Sequence, residues 1–154
     1  MARYSLDSSA AIKLYQTEEG SAEVGRIVDD PNSLRFIARL TIVEVLRAFS
    51  RRVRAQEISA KEFERLRLGF YEDLRRRRMW IKEVTRLHYR SAARLVQQYA
   101  PTQTVPLLRS LDALHLAVAL DIHEREGLDF FVCADKDLCG VAEAEQLSVL
   151  NPTG

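Results

Sequence analysis

The sequence predicts a three-layer α/β sandwich, with a central, mostly parallel sheet and helices on both of its faces. Short apolar stretches alternate with longer segments of helical periodicity along the chain. One of those stretches, Phe130-Phe-Val-Cys133, is apolar without alternation, the pattern of a strand buried on both faces. At 154 residues, 47% of them hydrophobic, the chain has the length of one domain and the material for a real core. Residues 1–154 are therefore expected to form a single folded unit, not a disordered chain.

Each element has its own justification. Residues 3–6 alternate weakly and stop at Asp7, and Ser8 and Ser9 precede an apolar start through Ala10, Ile12 and Leu14. That order reads as strand, carboxylate, cap and helix. Gly20 interrupts, and residues 21–30 carry Val24, Ile27 and Val28 at helical spacing until Pro31 stops them. Ser33–Ala38 reads as a short strand. From Thr41, the residues Ile42, Val43, Val45, Leu46 and Phe49 mark an amphipathic helix reaching about Arg54. A second helix opens at Ser59, paired with Glu62 as a capping box, and its apolar stripe is Phe63, Leu66, Phe70 and Leu74. Met79, Trp80, Ile81 and Val84 suggest another short strand. Residues 85–100 form a helix closed by Pro101, and Ser110–Glu126 is strongly helical with Gly127 just beyond its end. Leu147, Val149 and Leu150 supply a last strand before Pro152.

A formal net charge of +1 hides a strong asymmetry. Residues 35–94 hold 17 Lys or Arg against 7 Asp or Glu, an excess of ten positive charges, and the remainder holds 6 against 15, an excess of nine negative ones. Such a division can set one potential that attracts phosphates against another that holds cations. The run Arg75-Arg76-Arg77-Arg78 is the clearest case, and it can equally be a solvated helix end that complements the helix dipole. The longest apolar runs fall far short of the roughly 20 residues that span a bilayer. Residues 1–6 contain no apolar stretch of secretory length, so a cytoplasmic protein with no membrane partner is the expectation. Cys133 and Cys139 complete no zinc pattern and are expected to be reduced and structural. The six glycines are scattered singly, which argues against a phosphate-cradling loop for a nucleotide cofactor.

Four acids stand where an open α/β sheet places its ligands, outside the carboxyl ends of the strands. Asp7 follows the first strand and Asp135 follows the strand at 130–134. Glu44 and Asp112 each interrupt an otherwise apolar helical stretch, where a carboxylate costs free energy unless it is paired or metal-bound. Each also has an ordinary explanation. Asp7 and Asp135 suit turns or helix caps, Glu44 could close a capping box with Thr41, and Asp112 could be a first-turn acid after a cap at Ser110. Together they are harder to dismiss, because clustered carboxylates repel one another and a hard divalent cation such as Mg²⁺ or Mn²⁺ is the usual way to hold them. Such a site lowers the pKa of a bound water and neutralises charge on a phosphodiester under attack. Arg109 could contact a phosphate or pair with an acid. His115, three residues after Asp112, reads as a core histidine more readily than as a ligand of a hard cation.

These residues, in this order, resemble a PIN-domain ribonuclease of the VapC toxin type. The matching stretches are Tyr4-Ser-Leu-Asp-Ser-Ser-Ala-Ala-Ile-Lys-Leu-Tyr15, Leu40-Thr-Ile-Val-Glu-Val-Leu46, Leu108-Arg-Ser-Leu-Asp-Ala-Leu-His-Leu-Ala117, Phe131-Val-Cys-Ala-Asp-Lys-Asp-Leu138 and the closing Leu150-Asn-Pro152. The resemblance implies a PIN-like fold in which Asp7, Glu44, Asp112 and Asp135 bind Mg²⁺ or Mn²⁺. Asp7 and Asp112 would be the central ligands, Glu44 a ligand or water-mediated contact, and Asp135 a second-metal or water-orienting group. Asp137 is the rival to Asp135, and Ser9 matches the small hydroxyl residue that supports the first acid. The resemblance further implies an endoribonuclease acting as the toxin of a toxin–antitoxin pair that inhibits translation and growth. It also implies a homodimer and a VapB-like antitoxin whose C-terminal segment lies across the groove. The alternative is a catalytically silent PIN-fold module that binds RNA or protein.

Overall fold

A computed structural model describes all residues, 1–154. Its sheet has five strands: β1 (Ala2–Leu6), β2 (Ser33–Ala38), β3 (Trp80–Lys82), β4 (Phe130–Val132) and β5 (Val149–Leu150). They lie in the order β3-β2-β1-β4-β5, and every neighbouring pair is parallel. The helices are α1 (Ser8–Ala11), continued by a 3₁₀ turn at Ile12–Leu14, then α2 (Ser21–Asp29), α3 (Leu40–Arg54), α4 (Ala60–Arg75), α5 (Arg86–Tyr99), α6 (Ser110–Glu126) and α7 (Lys136–Ala144). No helix is long and apolar enough to cross a membrane.

Strand period decides the layers. Phe36, Ala38, Phe131 and Cys133 point to one face, where they pack with Leu95, Leu116 and Val141 of α5, α6 and α7. Leu6, Ile37 and Val132, which lie side by side across three strands, point to the other and pack with Val24, Phe49 and Phe70 of α2, α3 and α4. Two cores on two faces make the expected three-layer sandwich. Strand order reverses at β1, which has β2 on one side and β4 on the other, so the crevice of this sheet opens beyond the ends of β1 and β4.

Most boundaries fall within a residue or two of those the sequence predicts, and Ser33–Ala38 and Ser110–Glu126 coincide with them. Gly127, at φ 79°, ends α6 as expected. Ser59 caps α4 by accepting from the Glu62 backbone N–H at 3.1 Å. Two caps differ. Helix α3 starts at Leu40, so Thr41 lies inside it with a buried hydroxyl that has no partner, and Glu44 is free to turn elsewhere. Helix α6 is capped at Arg109, one residue before the expected Ser110, which still leaves Asp112 in the first turn. The sequence reading also missed α7, whose N-cap is Asp135 and whose inward residues are Leu138, Val141 and Ala142.

The four-arginine run is engaged locally. Arg75 and Arg76 both reach Glu72 at 2.6 Å, Arg77 lies over the Trp80 ring at 4.8 Å, and Arg78 bridges Asp73 and Asp29 at 2.8 and 2.5 Å.

Helices α5 and α6 are joined by His88, whose Nδ1 accepts from the Thr85 N–H at 2.9 Å and whose Nε2 donates to Asp121 at 2.8 Å. Burial pushes the Asp121 carboxyl up, but hydrogen bonds from His88 and Arg125 outweigh it and hold the group below its ordinary value of 3.8. A carboxyl depressed on folding stabilises the fold above its unfolded pKa, and that contribution is lost as pH falls through the depressed value. Asp121→Asn is therefore expected to destabilise the protein at neutral pH and to flatten the loss of stability below about pH 4. Thermal melts from pH 2 to 7 read this, and parallel curves for the two proteins would contradict it.

Candidate active site

Asp7 leaves the end of β1 and caps α1, its Oδ1 accepting from the Ala10 N–H at 2.9 Å. The Ser9 hydroxyl donates to the same carboxylate at 2.7 and 2.8 Å, and itself accepts from the Ala134 N–H at 3.0 Å. Ser9 thereby ties the end of β1 to the end of β4. The Cys133 thiol reaches Asp7 Oδ2 at 3.3 Å. Asp7 is only 3% exposed and forms no ion pair, so all of its close donors are neutral. Burial pushes this carboxyl up, and the Ser9 hydrogen bond, the field of His115 and the other donors offset that only in part.

Glu44 projects from the second turn of α3 towards α6. Its Oε1 accepts from the Ser8 hydroxyl at 2.8 Å and lies 2.5 Å from His115 Nε2, which is also 3.0 Å from Ser8 Oγ. An ionised carboxylate only accepts, so Nε2 carries the hydrogen in this contact. Burial raises the Glu44 carboxyl, and the hydrogen bond and charge of His115, with Ser8 and Arg109, more than reverse it, so the group stays ionised below its ordinary range. His115 is thus a buried histidine hydrogen-bonded across the helix layer. What the sequence reading did not anticipate is that its partner is one of the four acids.

Asp112 stands in the first turn of α6, one turn before His115, and is raised by burial and by the nearby Asp135, against the pull of Arg109. Arg109 donates from Nε to Asp112 at 3.0 Å and from its terminal nitrogen to Asp135 at 2.7 Å. Asp135 caps α7 through the N–H groups of Asp137 and Leu138, while Asp137 is exposed and turned to solvent. Of the two acids in Ala-Asp-Lys-Asp, it is Asp135 that faces Asp112.

The four acids are thereby connected around the switch point of the sheet through Ser8, Ser9, His115 and Arg109. Asp7 and Asp135 cap α1 and α7 and, in the same positions, take part in these connections. Ser8, His115 and Cys133 belong to this constellation without having been assigned to it from sequence. The available signals were the doubled serine after Asp7 and the one-turn spacing of His115 from Asp112.

No three His, Cys, Asp or Glu side chains are grouped closely enough to hold a metal ion between them. An open set of carboxylates still fits a small hard cation, which keeps several waters and takes only one or two protein carboxylates. The buried Asp7 carboxylate, supplied with neutral donors alone, is the clearest sign of such a fit.

Comparison with known proteins follows the same lines. The family model described as PIN domain matches residues 4–144. Ribonuclease VapC35 of Mycobacterium tuberculosis (strain ATCC 25618 / H37Rv) is 31% identical over 148 residues, covering 96% of this chain and 95% of that protein. Among solved structures, DNA-bound VapBC from Salmonella typhimurium superposes with a TM-score of 0.67 at 15% identity, covering 99% of both chains. Mycobacterium tuberculosis VapC20, described as a sarcin-ricin loop cleaving toxin, gives 0.65 at 12% identity, with 97% of this chain and 99% of that one covered. At these identities the structural matches speak for the fold.

Proposed function

The chain belongs to the PIN-domain family as a VapC-type ribonuclease, and from this premise we propose that it hydrolyses RNA phosphodiester bonds with Mg²⁺ or Mn²⁺, as the toxin of a toxin–antitoxin pair that inhibits translation and growth. The observation that carries the reading is that Ser8, Ser9, His115 and Arg109 connect Asp7, Glu44, Asp112 and Asp135 around the switch point, with Asp7 buried and lacking a counter-charge. Asp7 and Asp112 are the central ligands, Glu44 is a ligand or a water-mediated contact, and Asp135 serves a second metal or orients water. A bound divalent cation supplies Lewis acidity, favouring ionisation of water and neutralising charge that develops on the phosphodiester.

The chain's own residues do the positioning. Ser9 holds both oxygens of Asp7 in place, and Ser8 with His115 fixes the rotamer of Glu44 and keeps it ionised. Arg109, 70% exposed at its side chain, can leave the two acids and meet a phosphate of the substrate when the cation takes its place. The VapBC complexes among its structural neighbours support a VapB-like antitoxin as partner, and a homodimer and a cytoplasmic setting complete the proposal.

A second reading, a silent PIN-fold module that binds RNA or protein, is favoured by one observation. The Arg109 guanidinium already bridges Asp112 and Asp135 and neutralises them. Incubating a mixed RNA pool with partner-free protein separates the two. Cleavage in Mg²⁺ or Mn²⁺ that stops on chelation is the expected result, and RNA bound but never cut by folded protein would favour the silent module.

A further inference from the structure

The positive charge of the middle segment is not equally available along its length. The run at Arg75–Arg78 is engaged by Glu72, Asp73, Asp29 and Trp80. Arg47, Arg51 and Arg54 of α3 are exposed and form no ion pair, whereas Arg52, which points elsewhere on the same helix, pairs with Glu57 at 3.6 Å. Spacings of four and three residues put Arg47, Arg51 and Arg54 on one helix face, and Glu44 begins that same face three residues before Arg47.

The surface beneath this face is concave. One depression is bounded by Ile12, Glu44, Arg47, Arg51 and Leu111. A second is lined by Arg47, Ser50, Arg51 and Arg54, and a third runs past Arg51 to Ser9, Ala134 and Asp135. Arg51 borders all three, which sets them side by side along α3 between Glu44 and Asp135 at one end and Arg54 at the other. The other cation lining them, Lys13, is already held by Glu18 at 2.9 Å and by the Glu19 carbonyl at 2.8 Å. From Arg47 to Arg54 the helix advances about 10 Å, close to the rise of three nucleotides in a stacked strand at about 3.4 Å each.

We propose that Arg47, Arg51 and Arg54 form a phosphate-binding track that seats one RNA strand and leads it into the acid site. Guanidinium forks pair with phosphate oxygens in two-point fashion, and an unpaired, exposed arginine gives up no protein contact to do so. The track is sequence-blind. It positions the strand, and the acids act where it ends. Only that last clause rests on the nuclease reading, because strand binding by the arginines stands without it.

The test is fluorescence anisotropy of a labelled single-stranded RNA, with the protein in chelator so that nothing is cut, over a series of salt concentrations. The variant is Arg47→Gln/Arg51→Gln/Arg54→Gln, all at exposed positions, and the control is Arg75→Gln/Arg76→Gln/Arg77→Gln. Each lost contact to a single strand removes about 0.7 from the slope of log affinity against log salt, so the variant slope is expected to be shallower by about 2. Affinity at low salt should fall at least about tenfold for the variant and less than about twofold for the control. In Mn²⁺, the variant should raise KM far more than it lowers kcat.

Equal binding by variant and unsubstituted protein, equal losses in variant and control, or no RNA binding by the unsubstituted protein would each overturn the track. Binding that follows these expectations with no cleavage under any metal would leave the track standing and remove the nuclease reading.

Discussion

Asp7→Asn is expected to reduce RNA cleavage by at least about a hundredfold, the scale of losing one preorganised charge at a reacting centre, while the protein stays folded. The asparagine carbonyl can still accept from the Ala10 N–H and the Ser9 hydroxyl, so the cap of α1 and the tie between β1 and β4 survive. What disappears is the negative charge, which is buried and has no cationic partner of its own. Removing it should leave the melting temperature of the metal-free protein unchanged or slightly higher. Asp112→Asn should behave in the same way towards RNA, with Arg109 left to Asp135. Initial rates on a labelled RNA beside circular-dichroism melts read both quantities. Cleavage within a few-fold of the unsubstituted protein would remove these acids from the chemistry.

Phe49→Ala is the largest expected effect on stability, about 3–5 kcal/mol. Phe49 is wholly buried on α3 and meets Tyr15 edge-on at 5.7 Å and Phe70 at 6.4 Å, while Tyr15 and Phe70 meet at 5.3 Å. The three rings join α3 and α4 to the segment that follows α1, and the Tyr15 hydroxyl donates to Asp73 of α4 at 2.7 Å. Truncating the Phe49 ring loses burial, leaves a cavity, and loosens the helix that presents Glu44 and the three arginines. Urea unfolding of the two proteins gives the difference directly. A change below about 1 kcal/mol would mean that the cluster does not anchor α3.

The fold was readable because the apolar pattern repeats at the strand and helix periods and because caps and breakers stand where elements end. Ser59 before α4, Gly127 after α6 and Pro31 before β2 are local signals, and the structure agrees with each. Helix α7 escaped because it is short and starts with two charged residues, so only the cap at Asp135 and the apolar positions behind them announce it. The acids were visible as carboxylates in apolar surroundings or at strand ends. Their partners were not, since the contacts from Ser8 to Glu44, from Glu44 to His115 and from Arg109 to Asp135 join residues 36, 71 and 26 positions apart. Long-range contacts of this kind leave no period in the sequence. The charge runs were misleading in the same way. Four consecutive arginines look like the strongest basic feature, but only the fold shows that Glu72, Asp73 and Asp29 engage three of them while the spaced arginines of α3 remain open.

The most direct measurement is a titration of Mn²⁺ into the partner-free protein, with bound metal followed by electron paramagnetic resonance and RNA cleavage followed in the same samples. If the four acids form one metal-dependent centre, the binding and cleavage curves coincide for the unsubstituted protein, and both are lost in Asp112→Asn. Cleavage that persists in chelator, or metal bound equally well by Asp112→Asn, would contradict it.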